Sequence, residues 1–123
     1  MLDTHVFLWW CSDDSRLRAG ERAAIANPEN DLILSAASVW EIAIKESLGR
    51  LRLPEPVSAA ASRLGFRPLP VTFAHAEEAG RLPRLHRDPF DRMLIAQARI
   101  ESLTIVTYDS ALLAYEGAAF LRS

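Results

Sequence analysis

Short apolar runs alternate with longer amphipathic stretches along the whole chain of 123 residues. Uninterrupted apolar runs at 32–35 and 103–107 are typical of buried strands in a parallel sheet. Helical spacing bounded by capping residues, glycine or proline predicts helices at 15–26, 38–48, 55–64, 73–79, 88–100 and 109–113, with a helix or turn at 4–10. Shorter strands are predicted at 1–2, 69–71 and 118–121. This alternation predicts an α/β fold with a mainly parallel sheet of about five strands flanked by helices.

The length and the composition fit one domain that covers residues 1–123. Half of the residues are hydrophobic, which is enough for a substantial core. No apolar run approaches the roughly 18–20 residues of a membrane span, so no membrane partner is expected. The early polar residues Asp3 and His5 show no signal peptide, and the single Cys11 excludes an intrachain disulfide. Both observations favour the cytoplasm.

The net charge is −2, which excludes a generic cationic nucleic-acid binder. Any affinity for RNA or DNA must therefore come from a local patch or from a bound metal ion. Lys45 is the only lysine among the 14 basic residues, and the others are arginines. Arginine suits bidentate contacts with phosphate, although genome composition also explains such a bias.

Four acidic residues stand where an apolar run ends or a helix begins: Asp3, Glu41, Asp91 and Asp109. In an open α/β sheet, the carboxyl ends of parallel strands and the following helix starts share one edge, where ligands bind. We therefore expect the four carboxylates to converge in one pocket. Carboxylates packed together raise one another's pKa, and a divalent cation keeps them ionised. Hard cations such as Mg²⁺ prefer oxygen ligands, so the pattern predicts a metal site that handles phosphate.

Several of these carboxylates also have a purely structural explanation. Ser38 and Glu41 match a capping box, in which the glutamate reaches back to the amide of the N-cap. Glu41 and Lys45 are spaced for an ion pair along a helix. Asp109 can cap the helix that follows it, where the helix dipole favours an acidic residue. The functional interpretation therefore rests on the set of four residues.

Asp88 and Asp91, at the start of the helix at 88–100, are expected to differ in role, one as a helix cap and the other as a metal ligand. Asp88 is expected to be the N-cap, with proline at the first helical position and Asp91 at the third. Asp3 has no obvious capping role if Thr4 takes that role.

Four segments occur in order along the chain: Leu2-Asp3-Thr4-His5, 35–45 (SAASVWEIAIK), 86–98 (HRDPFDRMLIAQA) and Val106-Thr107-Tyr108-Asp109. This series resembles the PIN-domain ribonucleases, in particular the VapC toxins of bacterial toxin–antitoxin pairs. The resemblance covers essentially the whole chain, and the stretch at 88–98 is its most specific part. Members of the family usually carry a few more residues before the first aspartate, so the first strand is expected to be short here.

The resemblance implies a Mg²⁺- or Mn²⁺-dependent endoribonuclease that leaves a 5′-phosphate and a 3′-hydroxyl. Asp3 and Asp91 are then expected to bind a metal ion directly. Glu41 and Asp109 are expected to bind a second ion, hold metal-bound waters or orient the attacking water. Thr107 matches the family's hydroxyl residue two positions before the last aspartate. The number of metal ions stays open. Thr4 and Ser38 are candidates for positioning metal-bound waters, and helix capping is the alternative explanation for both.

The family also implies three partners: an RNA substrate, a cognate antitoxin and a second copy of the chain in a homodimer. The aromatic cluster Phe7, Trp9 and Trp10 is a candidate for partner binding, because aromatic residues are enriched at interfaces. Core packing is the alternative explanation for the same cluster. His86 is a candidate RNA contact or a surface or capping residue. Transfer, ribosomal and messenger RNA all remain open as targets.

Two other classes of function compete with the nuclease. A phospho-receiver domain has a similar length and clustered aspartates. It requires an acidic pair near the first strand and a lysine near the last strands, whereas Lys45 lies far too early. A PIN-like scaffold that binds RNA or protein without cleaving it is the second alternative, and the four filled acidic positions argue against it. Metal-dependent cleavage of a mixed RNA, with EDTA as control, discriminates between them.

Overall fold

The structure, a computed structural model, describes residues 1–85 and 87–121. His86, a candidate RNA contact, lies outside these residues. Within them the elements follow in the order α1 (Thr4–Ser12), α2 (Ala19–Ala26), β1 (Ile33–Ser35), α3 (Ala36–Ser47), α4 (Val57–Arg63), β2 (Arg67–Leu69), α5 (Phe73–Arg81), α6 (Pro89–Glu101), β3 (Thr104–Val106), α7 (Ser110–Leu113) and β4 (Ala119–Leu121).

The parallel sheet is held together at its centre by the first three residues of the chain. β1 pairs in parallel with β2, and β3 pairs in parallel with β4. Between these pairs, the Leu2 amide donates to the Ile33 carbonyl at 3.2 Å, and the Val106 amide donates to the Met1 carbonyl at 2.9 Å. The Asp3 amide donates to the Val106 carbonyl at 3.1 Å. The spatial order is thus β2, β1, residues 1–3, β3, β4, which confirms the mainly parallel sheet with a first strand reduced to a bridge.

Two hydrophobic clusters lie on opposite faces of this sheet. Successive side chains of a strand point to opposite faces, so Ile33 and Ile105 belong to one cluster while Leu34 and Val106 belong to the other. The first cluster packs against α6 and α7 and contains Leu94, Ile95 and Leu112. The second packs against α1 to α4 and contains Phe7, Ile25, Ile42 and Val57. The domain is a three-layer α/β/α sandwich.

Two elements differ from their predicted positions for local reasons. α2 begins at Ala19 instead of residue 15, because the Asp14 side chain accepts the Arg16 amide at 2.9 Å in a turn. β2 covers Arg67–Leu69 instead of 69–71, because the Arg67 amide donates to the Leu32 carbonyl at 2.7 Å and sets the register. The remaining elements lie within about two residues of their predicted bounds.

The predicted capping box of Ser38 and Glu41 at the start of α3 is wrong. Ser35 is the N-cap, and its hydroxyl accepts the Ala37 amide at 3.0 Å. Ser38 therefore lies inside the first turn of the helix, and its side chain contributes to the site described below. Elsewhere the predicted caps are confirmed: Thr72 caps α5 and Asp88 caps α6.

Across residues 1–85 and 87–121, every helix is too short or too polar to cross a membrane.

Candidate active site at the carboxyl edge of the sheet

Asp3 lies at the point where the central segment of the sheet turns into α1. It is the N-cap of that helix, since its Oδ1 accepts the Val6 amide at 2.8 Å. The expectation that Asp3 has no capping role was therefore wrong. Its Oδ2 accepts a hydrogen bond from the hydroxyl of Thr107, directly after β3. Asp3 is only 4% exposed, so both oxygens are held in one fixed orientation.

Thr107 links Asp3 to Asp109. Its hydroxyl oxygen accepts the Asp109 amide at 3.0 Å while its hydrogen is donated to Asp3. Asp109 in turn caps α7, because its Oδ1 accepts the Ala111 amide at 2.9 Å. The capping explanation of Asp109 is thus confirmed, and the same carboxylate lies close enough to influence Asp3.

Burial raises the pKa of the Asp3 carboxyl above its ordinary value of 3.8. The negative charge of Asp109 raises that pKa further, whereas the hydrogen bonds from Thr107 and Val6 and the charge of His5 lower it. The net effect is upward, which means that this position disfavours an uncompensated negative charge.

A second group of polar side chains connects α1 to α3. The hydroxyl of Thr4 donates to Oε1 of Glu41 at 2.7 Å, and it lies 3.0 Å from the hydroxyl of Ser38. The other carboxylate oxygen of Glu41 lies 3.1 Å from Nζ of Lys45, which confirms the predicted ion pair. Because Thr4 follows Asp3 directly, the two groups meet at the start of α1.

Asp91 lies half-buried in the first turn of α6. The side chain of Asp88 accepts the backbone amides of Phe90 at 2.9 Å and of Asp91 at 3.5 Å. The rings of Phe90 and Trp40 meet edge to face, with their centroids 5.3 Å apart. This contact joins the start of α6 to the first half of α3, next to Glu41.

The predicted pocket of four tightly packed carboxylates is not present in this arrangement. Among the described residues, no three histidine, cysteine or acidic side chains lie close enough to hold a metal ion together. Each of three carboxylates is instead bound by partners of its own: Asp3 by Val6 and Thr107, Asp109 by Ala111, and Glu41 by Thr4 and Lys45.

The chemistry of the donors nevertheless fits a hard divalent cation. The side chains at this edge offer carboxylate and hydroxyl oxygens, the ligands that Mg²⁺ and Mn²⁺ prefer. A cation beside Asp3 and Asp109 would also relieve the burial and the repulsion that raise the Asp3 pKa.

The PIN-domain family model matches residues 1–118, which is nearly the whole chain. The chain belongs to the PIN-domain family. It is 31% identical over 115 residues to Ribonuclease VapC22 of Mycobacterium tuberculosis (strain ATCC 25618 / H37Rv), a match that covers 91% of the chain and 88% of that relative. It is also 47% identical over 58 residues to Ribonuclease VapC16 of the same strain. That match covers 44% of the chain and only 41% of the relative.

The fold of this PIN domain also matches a solved structure, VapBC2 from Rickettsia felis bound to a DNA fragment from its promoter. The TM-score is 0.71, and the match covers 98% of the PIN domain and 96% of that chain. At 14% identity the likeness concerns the fold alone. The family and the α/β architecture expected from the sequence are therefore confirmed.

A buried polar network beneath the site was missed by the sequence analysis. The hydroxyl of Ser35 donates to Oε1 of Gln97 at 2.5 Å, which ties the N-cap of α3 to the middle of α6. The amide nitrogen of Gln97 donates to the Pro70 carbonyl at 3.3 Å and lies 3.4 Å from Nδ1 of His75. Gln97 is fully buried, and the signal for this role was a polar residue inside the apolar stretch 94–98.

The aromatic cluster of α1 divides between core and surface. Phe7 is fully buried and meets Phe66 edge to face, with the centroids 5.2 Å apart. Its predicted role in partner binding was therefore wrong, because the second hydrophobic cluster encloses it. Trp9 and Trp10 are only partly buried, and Trp9 stacks on Tyr108 at 5.7 Å. Both tryptophans stay candidates for partner contacts.

Proposed function

We propose that this PIN domain is an endoribonuclease that hydrolyses RNA phosphodiesters with the help of Mg²⁺ or Mn²⁺, as the toxin of a type II toxin–antitoxin module. The two hydrogen bonds that connect Asp3, the Thr107 hydroxyl and the Asp109 amide carry the proposal. These bonds connect Asp3, a buried carboxylate of raised pKa, to Asp109 at the edge of the sheet where α/β folds bind ligands. The names of the two relatives, both ribonucleases, support RNA as the substrate.

Asp3 and Asp91 would hold the metal ion directly, and Glu41 and Asp109 would hold a second ion or metal-bound waters. When bound, such an ion polarises a phosphoryl oxygen, lowers the pKa of a bound water and offsets the charge that develops on phosphorus. Without a cation the four carboxylates would repel the phosphates of RNA, so metal binding is part of substrate binding.

The residues of the chain itself orient these groups. Thr107 and the Val6 amide fix both oxygens of Asp3, which leaves the carboxylate no freedom to rotate. Thr4 holds Oε1 of Glu41 towards the start of α1. Glu41 or Asp109 would accept the proton of the water that attacks phosphorus. As the water oxygen bonds to phosphorus, the P–O3′ bond breaks and the leaving 3′ oxygen takes a proton from solvent, which gives a 5′-phosphate and a 3′-hydroxyl.

The fold neighbour and the surface of α1 support the proposed partners. The fold neighbour is a VapBC complex, which favours a cognate antitoxin as partner. The partly buried Trp9 and Trp10 on α1 offer apolar surface for it or for a second copy of the chain in a homodimer. Location in the cytoplasm stays a prediction.

One observation favours a second candidate function. Among the described residues, no three acidic, histidine or cysteine side chains lie close enough to hold an ion together, which would suit a PIN-like scaffold that binds RNA or protein without cleaving it. Incubation of the purified protein with a mixed RNA in the presence of Mg²⁺, Mn²⁺ or EDTA separates the two functions. We expect cleavage with either ion, none in EDTA, and none by Asp3→Asn.

The exposed residue Glu46 supplies the matched control for that assay, because Glu46→Gln makes the same change in charge on the surface of α3. Its cleavage rate should equal that of the parent. RNA binding without cleavage under all three conditions would overturn the nuclease and establish the scaffold. Cleavage that persists in EDTA would overturn the role of the metal.

A further inference from the structure

The position of Asp109 depends on a short loop, residues 107–109, that follows β3. This loop has no regular secondary structure, and α7 after it has only four residues. The amide of Asp109 donates to the Thr107 hydroxyl inside the loop, which by itself does not fix the loop against the rest of the domain. The contacts of the intervening residue, Tyr108, therefore decide how the loop lies.

The side chains around this loop alternate in their contacts. Val106 is buried in the second hydrophobic cluster, and Tyr108 packs against that cluster. Thr107, between them, donates to Asp3 instead. Such alternation is the rule for an extended chain, in which successive side chains point to opposite sides. Contacts that hold the ring of Tyr108 therefore also determine where the polar side chains of Thr107 and Asp109 point.

Three contacts hold Tyr108 against the segment from α1 to α2. Its ring stacks on Trp9 of α1, with the centroids 5.7 Å apart and 30° between the planes. The guanidinium of Arg18 lies 5.0 Å from the centre of the same ring. The Tyr108 hydroxyl accepts the backbone amide of Arg18, the residue before α2, at 2.9 Å. The loop is thus attached to two other elements through one side chain.

Glu21, in the first turn of α2, is the fourth partner of Tyr108. Burial raises the pKa of the Tyr108 hydroxyl above its ordinary value of 10.0, and a hydrogen bond to the Glu21 carboxylate raises that pKa further. The amide of Arg18 lowers it. Glu21 is fully buried, although burial of a carboxyl group costs free energy unless a partner compensates it. Because the Tyr108 oxygen accepts from Arg18, its hydrogen is available to Glu21.

We propose that Glu21 is a positioning residue that acts through the Tyr108 hydroxyl and holds the loop 107–109 with Thr107 and Asp109 directed towards Asp3. Glu21 itself belongs neither to the proposed metal ligands nor to their direct partners. The inference rests on the proposed function, because it explains how one half of the carboxylate pair is kept in place for the reaction. It gives a buried acidic residue on α2 a role in activity.

Hydrogen exchange of the Asp109 amide, followed by NMR without metal or RNA, tests this role. Glu21→Leu replaces the acceptor of the Tyr108 hydroxyl by an apolar side chain of similar size. The loop should then open more often, and the Asp109 amide should exchange about tenfold faster. Ile25→Val is the matched control, because Ile25 is a buried residue of the same helix in the second hydrophobic cluster. It should lower the melting temperature and leave the exchange of Asp109 unchanged.

Three further variants establish that Glu21 acts through Tyr108. Glu21→Gln keeps an acceptor for the hydroxyl, so Asp109 should exchange as in the parent. Tyr108→Phe keeps the ring on Trp9 but lacks the hydroxyl, and it should match the faster exchange of Glu21→Leu. The double variant Glu21→Leu/Tyr108→Phe should show no further increase, because both changes remove the same bond.

Additive effects in the double variant would overturn the inference, since Glu21 would then act by another route. If Glu21→Leu does not fold, Tyr108→Phe carries the same test, and unchanged exchange of Asp109 in that variant would overturn the inference as well. A purely structural role of Glu21 predicts a lower melting temperature for Glu21→Leu with unchanged exchange of Asp109.

Cleavage of a mixed RNA with Mn²⁺, measured well below the melting temperatures, connects the loop to the reaction. We expect Glu21→Leu and Tyr108→Phe to lower kcat by about tenfold, the effect of a slightly misplaced group. Glu21→Gln and Ile25→Val should stay close to the parent. Equal rates for Glu21→Leu and Ile25→Val would overturn the inference. A parent protein that never cleaves RNA overturns the proposed function instead, and the exchange of Asp109 still decides whether Glu21 positions the loop.

Discussion

Thr107 donates its hydroxyl hydrogen to the carboxylate of Asp3, a residue 104 positions earlier in the chain. The same hydroxyl accepts the amide of Asp109 at 3.0 Å, so one small side chain connects two carboxylates of the proposed site. Since residues 1–3 occupy the centre of the sheet, this bond also fixes the end of the central segment against β3.

Replacement of Thr107 by valine should therefore affect both stability and activity. Thr107→Val keeps the shape but leaves the buried Asp3 carboxylate without one of its two donors, which costs about 1–3 kcal/mol of unfolding free energy. RNA cleavage should fall as well, because Asp3 is then free to rotate. Thr104→Val is the matched control, since Thr104 lies exposed on β3, the strand that Thr107 directly follows. Equal melting temperatures of the two variants would contradict the assigned role of the hydroxyl.

The raised pKa of Asp3 predicts how stability depends on pH in the absence of metal. Below the ordinary carboxyl value of 3.8 the group is protonated in both the folded and the unfolded state. As pH rises from that value towards the higher pKa of the folded state, the unfolded state releases its proton while the folded state keeps it. The free energy of unfolding therefore falls over this pH range. Above the folded-state pKa the loss is complete and the difference stays constant.

Urea unfolding in EDTA between about pH 4 and pH 7 checks this prediction. Asn caps a helix as well as Asp and does not ionise, so Asp3→Asn should become more stable relative to the parent as pH rises. A constant difference over the whole range would show that Asp3 keeps an ordinary pKa in the folded protein.

A divalent cation should stabilise the folded protein by binding to the carboxylate edge. Free Mg²⁺ or Mn²⁺ at ten times its dissociation constant adds about 1.4 kcal/mol to the unfolding free energy. Calorimetry should show a higher melting temperature with either ion for the parent and for Glu46→Gln. The increase should be much smaller for Asp3→Asn. Identical increases in all three proteins would place the ion elsewhere.

Of the two aspartates at the start of α6, we expect Asp88 to act as the helix cap and Asp91 to act as a metal ligand. Asp88→Ala should cost about 0.5–2 kcal/mol of stability, because Asp88 accepts the amides of Phe90 and Asp91. Asp88→Asn should be nearly neutral. Asp91→Asn should stay folded and lose RNA cleavage by orders of magnitude. Melting curves and cleavage rates of the three variants decide the assignment, and an inactive Asp88→Asn beside an active Asp91→Asn would invert it.

The proposed homodimer should have a mass of about twice 13.7 kDa in light scattering. If α1 forms the partner surface, Trp10→Ala should weaken the dimer or the binding of the antitoxin, because Trp10 is only partly covered by its own domain. Phe7→Ala should instead lower the melting temperature, since Phe7 lies in the core. A monomer at high micromolar concentration would remove the dimer from the proposal.

The sequence by itself determined the features that depend on near neighbours. Thr72 caps α5 and Asp88 caps α6 where the sequence predicts it, because a cap bonds to amides two or three residues away. The ion pair between Glu41 and Lys45 follows from helical spacing in the same way. The family was also evident from the order and spacing of its acidic segments, since a match to the family depends on sequence alone.

Only the tertiary structure decided which residues meet across the sheet. Ser35 rather than Ser38 caps α3, and the side chain of Ser38 lies beside Thr4 of another helix instead. Phe7 belongs to the core because α1 packs its inner face against the sheet, which the aromatic content of the helix does not reveal. The bond between Thr107 and Asp3 likewise requires the two ends of the chain to lie side by side. Such contacts depend on how distant elements pack, and a hydrophobic pattern specifies that an element is buried without specifying its neighbours.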